Sequence, residues 1–358
     1  YFAQNSKIWI YVLERTKKMN ILFGLNHPVD VNFFKNTMLK LKEQGHNIIL
    51  TYRPRGKLQK IVDYEVSEFN PIPIGKQYKT FFSKLFGQLY RDLLMFKFQR
   101  KHKIELSVCF GPTNAISSWF NRIPYLAFED DLEYRIPFYH ANLFSTRHIM
   151  PDYIRFSNKK TWKYKGFKEL AYLHPKRFKA NLNSIKNLNL VKNKYVFIRE
   201  ISNVSLNYKE ENKSIVDIVS YLANKGVQVV ISLEDDAIKD KLREMCLVLK
   251  EPVEDLSSIL AYAQFAISSG DTMAREVCLL GTPCIYTGGR EMVMNNELIE
   301  MGIMFKEDTV ASIFKRIDLL MDDEVSSKLS NEISDKINNE WADTTEVILE
   351  HISEFIRK

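Results

Sequence analysis

The residue types best suited to chemistry cluster in the second half of the chain, at positions 266–286 (AISSGDTMAREVCLLGTPCIY). A short apolar run ends in Ser268-Ser269-Gly270-Asp271-Thr272, and helix-forming residues follow at once. Such a junction leaves backbone N–H groups and the positive end of a helix dipole facing an approaching ligand, an arrangement that binds phosphate. Gly270 lacks a Cβ, so the backbone can come close to that ligand. Glu276 falls one turn into the helix, where its carboxylate can accept from two adjacent ribose hydroxyls. A simpler assignment uses the same residues: Ser269 or Asp271 caps a helix, and Glu276 is a solvated side chain.

A second group lies in the first half. Asn26 and His27 end an apolar run, and Pro28 opens a stretch of helical period. Histidine titrates near neutrality, so His27 can take a proton from an acceptor hydroxyl; it can equally cap the following helix or pack beside Pro28. Asp30 reads as the N-cap of that helix. Glu129-Asp130-Asp131 follow the run PYLAF. Adjacent carboxylates in a cleft repel one another and raise one pKa, a route to a general acid or base; on a surface they only start a helix. Gly111, Pro112, Thr113 and Asn114 follow another strand and are expected to line the same cleft. The other histidines form no HxxxH or HxH pair, and the four cysteines are scattered in apolar runs. No metal and no cofactor is therefore expected, and the thiols read as reduced and buried.

These groups need elements that place them side by side. NILFGLN at 20–26, a helical stretch to Gln44, Gly45, and HNIILTY at 46–52 give the strand–loop–helix–Gly–strand rhythm that opens a parallel α/β sheet. The rhythm continues through strands at 105–110 and 124–128 and a strand-like run at 141–146. YVFIR at 195–199 starts a second series, with strands at 227–233, QFAISS and PCIYT. Two doubly wound, Rossmann-like units result, and such sheets gather ligands at the carboxyl ends of their strands. The expected divisions are an extension at 1–18, a first domain at 19–178, a polar linker at 179–193, a second domain at 194–340 and a terminal helix at 341–358 that could pack back on the first domain.

A composition of 45% hydrophobic and 27% charged residues excludes a disordered chain, a collagen-like fibre and a disulfide scaffold. The net charge of +7 hides a division: positions 1–180 carry +17 and the remainder −10. The basic half expects an anionic partner. Its densest segment runs from Lys76 to Lys103, with one acid, Asp92, and interleaved aromatics. At helical spacing Phe82, Leu85, Phe86, Leu89, Leu93 and Phe96 form a stripe. The stripe can pack into the core under a solvated basic face, or the segment can meet an anionic membrane surface. No nucleic-acid module is present, so no nucleic-acid partner is expected. No run of about 18 apolar residues occurs, so a cytoplasmic protein, peripheral on the inner membrane face, is expected.

The series Ser269, Gly270, Glu276, Gly281 and Pro283 resembles the nucleotide-sugar signature of GT-B glycosyltransferases and of the related UDP-N-acetylglucosamine 2-epimerases. With HPVDVNFFKN at 27–36, FKELAYLHP at 167–175 and GDTMAREVCLLGTP at 270–283, the chain is similar to a bacterial and archaeal family of unknown function within that superfamily. The resemblance implies a GT-B-like fold with two domains facing a cleft. It implies that Ser269, Gly270, Asp271 and Thr272 cradle a diphosphate, that Glu276 holds the ribose, and that Arg199 assists at the diphosphate. Asp271 departs from the small residue usual there and must turn away or bind the sugar. The epimerases place an acid near Thr113, a glutamate near Glu129 and a histidine shortly after Arg199; only Glu129 has its counterpart. The implied activity is transfer of a sugar from a UDP-linked donor to a glycan or lipid-linked acceptor, with His27 or Glu129 as base and Asn26, Gly111, Thr113 and Asp130 on the acceptor side. The alternatives are an epimerase or hydrolase of the same donor, and a non-catalytic nucleotide-sugar-binding protein.

Overall fold

The computed structural model describes residues 17–76, 81–200, 215–233, 239–250 and 253–357. Continuous apolar runs become strands covered on both faces, as parallel sheets require. The first sheet holds β1 (Asn20–Leu25), β2 (Asn47–Tyr52), β3 (Ile72–Pro73), β4 (Leu106–Phe110), β5 (Tyr125–Phe128), β6 (Arg147–Pro151) and β7 (Thr161–Tyr164), in the order β3-β2-β1-β4-β5-β6-β7. The second holds β8 (Tyr195–Glu200), β9 (Gln228–Leu233), β10 (Leu247–Val248), β11 (Phe265–Ser268), β12 (Cys284–Tyr286) and β13 (Met304–Lys306), in the order β10-β9-β8-β11-β12-β13. Every pairing is parallel. The strand order reverses beside β1 and beside β8, so each sheet has a crevice at β1/β4 or β8/β11, where the loops part.

Two segments tie the halves together. Phe167, Leu170 and Leu173 leave the first sheet and are buried in the core of the second. In return Ile348, Ile352 and Ile356, from the helix Thr344–Ile356, complete the core of the first. Thr344 and Thr345 donate their hydroxyls to the carbonyls of Phe167 (2.8 Å) and Ala171 (2.7 Å), which fixes one crossing against the other. The stretch 179–193, read as a linker, carries the helix Leu182–Lys186; its Ile185, with Leu190, is buried in the second core. Its polar residues hid two anchoring side chains.

Two other expectations change. The apolar run at 141–146 ends the helix Arg135–Phe144, and the strand is the next segment, Arg147–Pro151. Arg147 and His148 disguised that strand. Both are buried: Arg147 stacks over Trp162 (4.4 Å) and donates to His351 Nδ1 (2.9 Å), while His148 pairs with Asn142 (3.1 Å). The helix Phe81–Lys101 does not pack its leucine stripe into the core, one of the two settings expected for it. Leu89, Tyr90 and Leu93 are 51%, 57% and 61% exposed, whereas Arg91, Asp92, Met95 and Gln99 face inward. The side chains of Phe82, Leu85 and Phe86 lie outside the described residues, as do positions 77–80. Among the described residues no helix is long and apolar enough to cross a membrane.

Ile352 is fully buried against the first core. Ile352→Ala should cost about 2–5 kcal/mol, and hydrogen exchange should show the loss as earlier opening of β1 and β2.

Candidate functional site

The first loop of the candidate site begins where β11 ends. Ser268 Oγ donates to the carbonyl of Gly270 (3.0 Å) and accepts from its N–H (3.2 Å), which closes a tight turn. Ser269 is drawn the other way: its N–H and hydroxyl both donate to the Arg199 carbonyl at the end of β8 (3.1 and 3.3 Å). The helix Asp271–Leu279 then starts from Gly270 with no side-chain cap. Its first-turn N–H groups and dipole are thus presented at the β8/β11 crevice. Arg199 reaches sideways, donating to Ser232 Oγ at the end of β9 (2.6 Å).

Asp271 does turn away. One carboxylate oxygen accepts from Tyr286 and the other from Arg290 (2.9 Å). Arg290 continues across the cleft to Glu133, so a single guanidinium bridges an acid of the second half and an acid of the first. Thr272 Oγ1 faces Arg275 Nη2 at 3.5 Å. Glu276 accepts from the Tyr172 hydroxyl (2.6 Å), and burial pushes its carboxyl up to about 7 despite that bond. Tyr172 comes from the 167–173 crossing, so the first half of the chain positions the candidate ribose ligand.

Beneath the loop lies a polar chain with little access to water. Arg275 Nε and Glu169 Oε1 are 2.9 Å apart, with side chains 2% and 1% exposed. Arg275 also donates to Asn295 Oδ1 (3.0 Å). Next to Glu169, Lys168 Nζ meets Asp130 Oδ2 at 2.5 Å. Burial disfavours the Lys168 ammonium, but Asp130 and Glu169 hold it ionised and raise its pKa. Asp130 therefore points inward, into the domain junction, and does not line the acceptor side as expected. Asp131 takes that place.

A cavity of about 800 Å³ opens between the loops at the carboxyl ends of β1, β2, β4 and β5, and Arg290 closes it from the second half. Of the expected residues it brings together Asn26, His27, Gly111, Thr113 and Glu129. Gly111 adopts φ +67°, which favours glycine, and Tyr125 donates to its carbonyl (2.5 Å). His27 is the N-cap of the helix Pro28–Glu43: its Nδ1 accepts from the Val29 N–H (3.4 Å), while Asp30 accepts from the N–H groups of Asn26 (2.7 Å) and His27 (2.9 Å). Asp30 thus answers the cap instead of forming it. Partial burial, then Arg55 and Lys168, lower the His27 pKa, so the ring is neutral at pH 7. With Nδ1 accepting, the proton of the neutral ring sits on Nε2. Burial and then Asp130 raise the Glu129 carboxyl well above its usual range. Among the described residues no group of acids, histidines and cysteines has metal-site geometry.

The family described as "Protein of unknown function (DUF354)" matches residues 150–357, more than half of the chain. The chain belongs to that family. An uncharacterized protein of Methanocaldococcus jannaschii is 22% identical to this DUF354 chain over 323 residues, covering 84% of this chain and 91% of its own. In fold, the chain is similar to UDP-GlcNAc 2-epimerase from Neisseria meningitidis, solved bound to UDP-GlcNAc (TM-score 0.68, 13% identity, 94% of this chain and 100% of that one). It is also similar to the spinosyn forosaminyltransferase SpnP (TM-score 0.66, 12% identity, 96% and 100% covered). The Methanocaldococcus jannaschii UDP-GlcNAc 2-epimerase in complex with UDP-GlcNAc and UDP aligns with TM-score 0.64 at 14% identity, over 94% of this chain and 100% of that one. The DUF354 chain thus has the two-domain α/β architecture shared by GT-B transferases and these epimerases.

Sequence reasoning missed Lys168, Glu169, Tyr172, Arg275 and Arg290. The first four stood inside the two family motifs, FKELAYLHP and GDTMAREVCLLGTP, and Arg290 follows the Gly-Gly pair after β12. Charged residues buried in both motifs were a usable signal of mutual pairing. Removing one member of the buried pair leaves the other charge unpaired, so Glu169→Ala should cost about 3–5 kcal/mol, and Glu169→Leu with Arg275→Met should recover much of it. Urea unfolding of the three chains checks this.

Proposed function

We propose that the protein is a glycosyltransferase. It moves a sugar from a nucleotide-sugar donor, UDP-linked, to a hydroxyl of a glycan or lipid-linked acceptor in surface polysaccharide or glycoconjugate synthesis. The observation that carries this reading is the uncapped helix start at the β8/β11 crevice, with Glu276 one turn along and the acceptor-side cavity beside it. The diphosphate lies on the N–H groups of residues 271–273, with Arg199 at its flank, and Glu276 accepts from the ribose hydroxyls. Ser269 and Gly270 act through the turn they shape, since their own N–H groups are already bonded within the protein.

The acceptor hydroxyl sits in the cavity near Glu129. As its oxygen attacks the anomeric carbon, its proton passes to the Glu129 carboxylate. The bond from that carbon to the diphosphate breaks, and the leaving charge is met by the helix dipole and Arg199. His27, with its proton on Nε2, serves as a donor to an acceptor or phosphate oxygen. Nine of the exposed large apolar side chains fall between Leu89 and Leu143, around the helices Phe81–Lys101, Ala115–Asn121 and Arg135–Phe144. Two of them, Tyr134 and Ile136, line the cavity, which supports docking at the cytoplasmic face of an anionic membrane.

Epimerisation is the second reading, favoured by the neighbours solved with UDP-GlcNAc and by the carboxyl at Glu129. NMR of UDP-GlcNAc incubated without acceptor separates the two: a changed sugar overturns transfer. If calorimetry shows no binding of any nucleoside diphosphate, both readings fail. A nucleotide-binding protein without catalysis would leave activity in extract unaffected by Glu129→Gln, whereas transfer predicts a fall in kcat of about 10²–10⁴ with little change in UDP affinity. The base must be ionised, so the acid limb of the rate profile should lie well above pH 4.5, the ordinary carboxyl value.

Glu276 accepts best as a carboxylate, so UDP affinity should rise as pH increases through about 7. The Tyr172 bond lowers that pKa, and Tyr172→Phe should therefore move the rise to higher pH. Calorimetric titrations with UDP between pH 6 and 8 measure both.

A further inference from the structure

One wall of the 800 Å³ cavity has no role in the chemistry above. It is built by Arg53 and Arg55, which flank Pro54 in the loop after β2, and by Arg91 of the helix Phe81–Lys101, with Gln88 beside it. Arg91 is the most constrained of these. It is only 2% exposed; its Nε donates to the Ile74 carbonyl (3.4 Å) and its Nη1 to the Thr113 carbonyl (2.7 Å). Its Nη2 has no hydrogen-bond partner among the described residues. The backbone makes room for this side chain: Gly75 adopts φ +88°, and a Cβ there would sit 3.0 Å from Arg91 Cδ. A buried guanidinium with one unused edge is costly unless something binds it.

Asp92 is the acid whose charge most favours that of Arg91, and two further arginines share the same wall. Asp92, next in sequence to Arg91, is buried, bonds to Gln88 Nε2 (3.1 Å) and is pushed up to about 6 by burial. Asp30, also on the cavity, has an oxygen taken up by the N–H groups of Asn26 and His27. Glu129 and Asp131 lie on the loop after β5, where Asp131 feels the charge of Arg290 and Glu129 lies beside Gly111. Arg53 is close enough for its charge to disfavour that of Arg91, and Arg55 acts likewise on His27. Guanidinium groups brought together on one wall repel one another, and an oxyanion relieves that repulsion.

We propose that Arg53, Arg55 and Arg91 form an oxyanion subsite that binds a phosphate ester carried by the acceptor. Three guanidinium groups suit a doubly charged tetrahedral group with three free oxygens; a carboxylate, with two oxygens, is met by one bidentate arginine. The hydroxyl to be glycosylated then lies toward Glu129, and the phosphate fixes the acceptor's direction in the cavity. The word acceptor rests on the transferase reading; the anion site itself does not.

The test is calorimetric titration of the full chain with phenyl phosphate and with benzoate, under saturating UDP so that the donor helix is occupied. Phenyl phosphate should bind, and benzoate at least about tenfold more weakly. Arg91→Gln and the double variant Arg53→Gln/Arg55→Gln should each weaken phenyl phosphate about tenfold or more, with UDP affinity held within about twofold. The double variant changes partly exposed side chains, so it decides the matter even if Arg91→Gln does not fold. Phosphatidylcholine vesicles with and without phosphatidic acid identify the source. Arginine-dependent capture of the phosphatidic acid vesicles supports a lipid-borne phosphate; arginine-dependent binding of phenyl phosphate alone supports a soluble ester. Equal binding by wild type and double variant, no phenyl phosphate binding, or equal affinity for benzoate would overturn the proposal. If UDP itself fails to bind, the transferase reading falls, and the same titrations without UDP still decide the arginine site.

Discussion

The Glu169–Arg275 pair is the constraint on which the site depends. Both charges are almost wholly removed from water, so each holds the other in place as firmly as the protein allows. Arg275 lies on the helix Asp271–Leu279, between Thr272 and Glu276, and Glu169 lies on the segment that leaves the first sheet for the second core. The pair therefore fixes the angle at which the helix start meets the acceptor-side loops. Lys168 and Asp130 extend the same chain of charges to the strand end that carries Glu129. Glu129 owes its raised pKa first to burial and next to this neighbour, so packing at the junction and proton affinity in the cavity are set by adjoining residues.

The electrostatic division of the chain follows the same geometry. The second half is acidic overall, yet a helix start and a few arginines can present positive potential to a phosphate locally, whatever the net charge. Arg290 shows how this is done. It is held between Asp271 and Glu133, one acid from each half, and so belongs to the cleft and to neither domain alone. The excess of basic residues in the first half is partly internal: Arg91 and Arg147 are buried and Lys168 is largely so, and the remainder colours the surface.

Much of the fold could be read from sequence because parallel strands are unbroken apolar runs closed by Gly and Pro, as in NILFGL and QFAISS. The turn into the helix Asp271–Leu279 could be read because a short apolar run stops at Ser-Ser-Gly and helix-forming residues follow at once. What could not be read are cases where a polar residue does the work of an apolar one. Arg147 and His148 occupy an inner strand because Trp162 and His351, 204 residues later, receive the first, and Asn142 and Phe138 receive the second. The helix Phe81–Lys101 buries Arg91 and Gln99 and exposes Leu89 and Leu93, against the core-packed alternative for its stripe, because the neighbouring carbonyls and Ser118 offer hydrogen bonds that the core side of a leucine could not use. Asp130 and Asp131 are indistinguishable in sequence, and only the position of Lys168 sends one inward.

The helix Thr344–Ile356 closes the hydrophobic core of a sheet whose first strand begins at Asn20. A chain made from its amino end thus synthesises β1–β7 long before the side chains that complete their core exist. Until residues around 350 emerge, the apolar groove along the helix Pro28–Glu43 stays open to water and to other nascent chains. Contacts of such sequence separation slow folding and lengthen the exposure of sticky intermediates. The first half of this molecule therefore completes its core only after residues around 350 have been made, and production of the protein should be sensitive to chaperone supply.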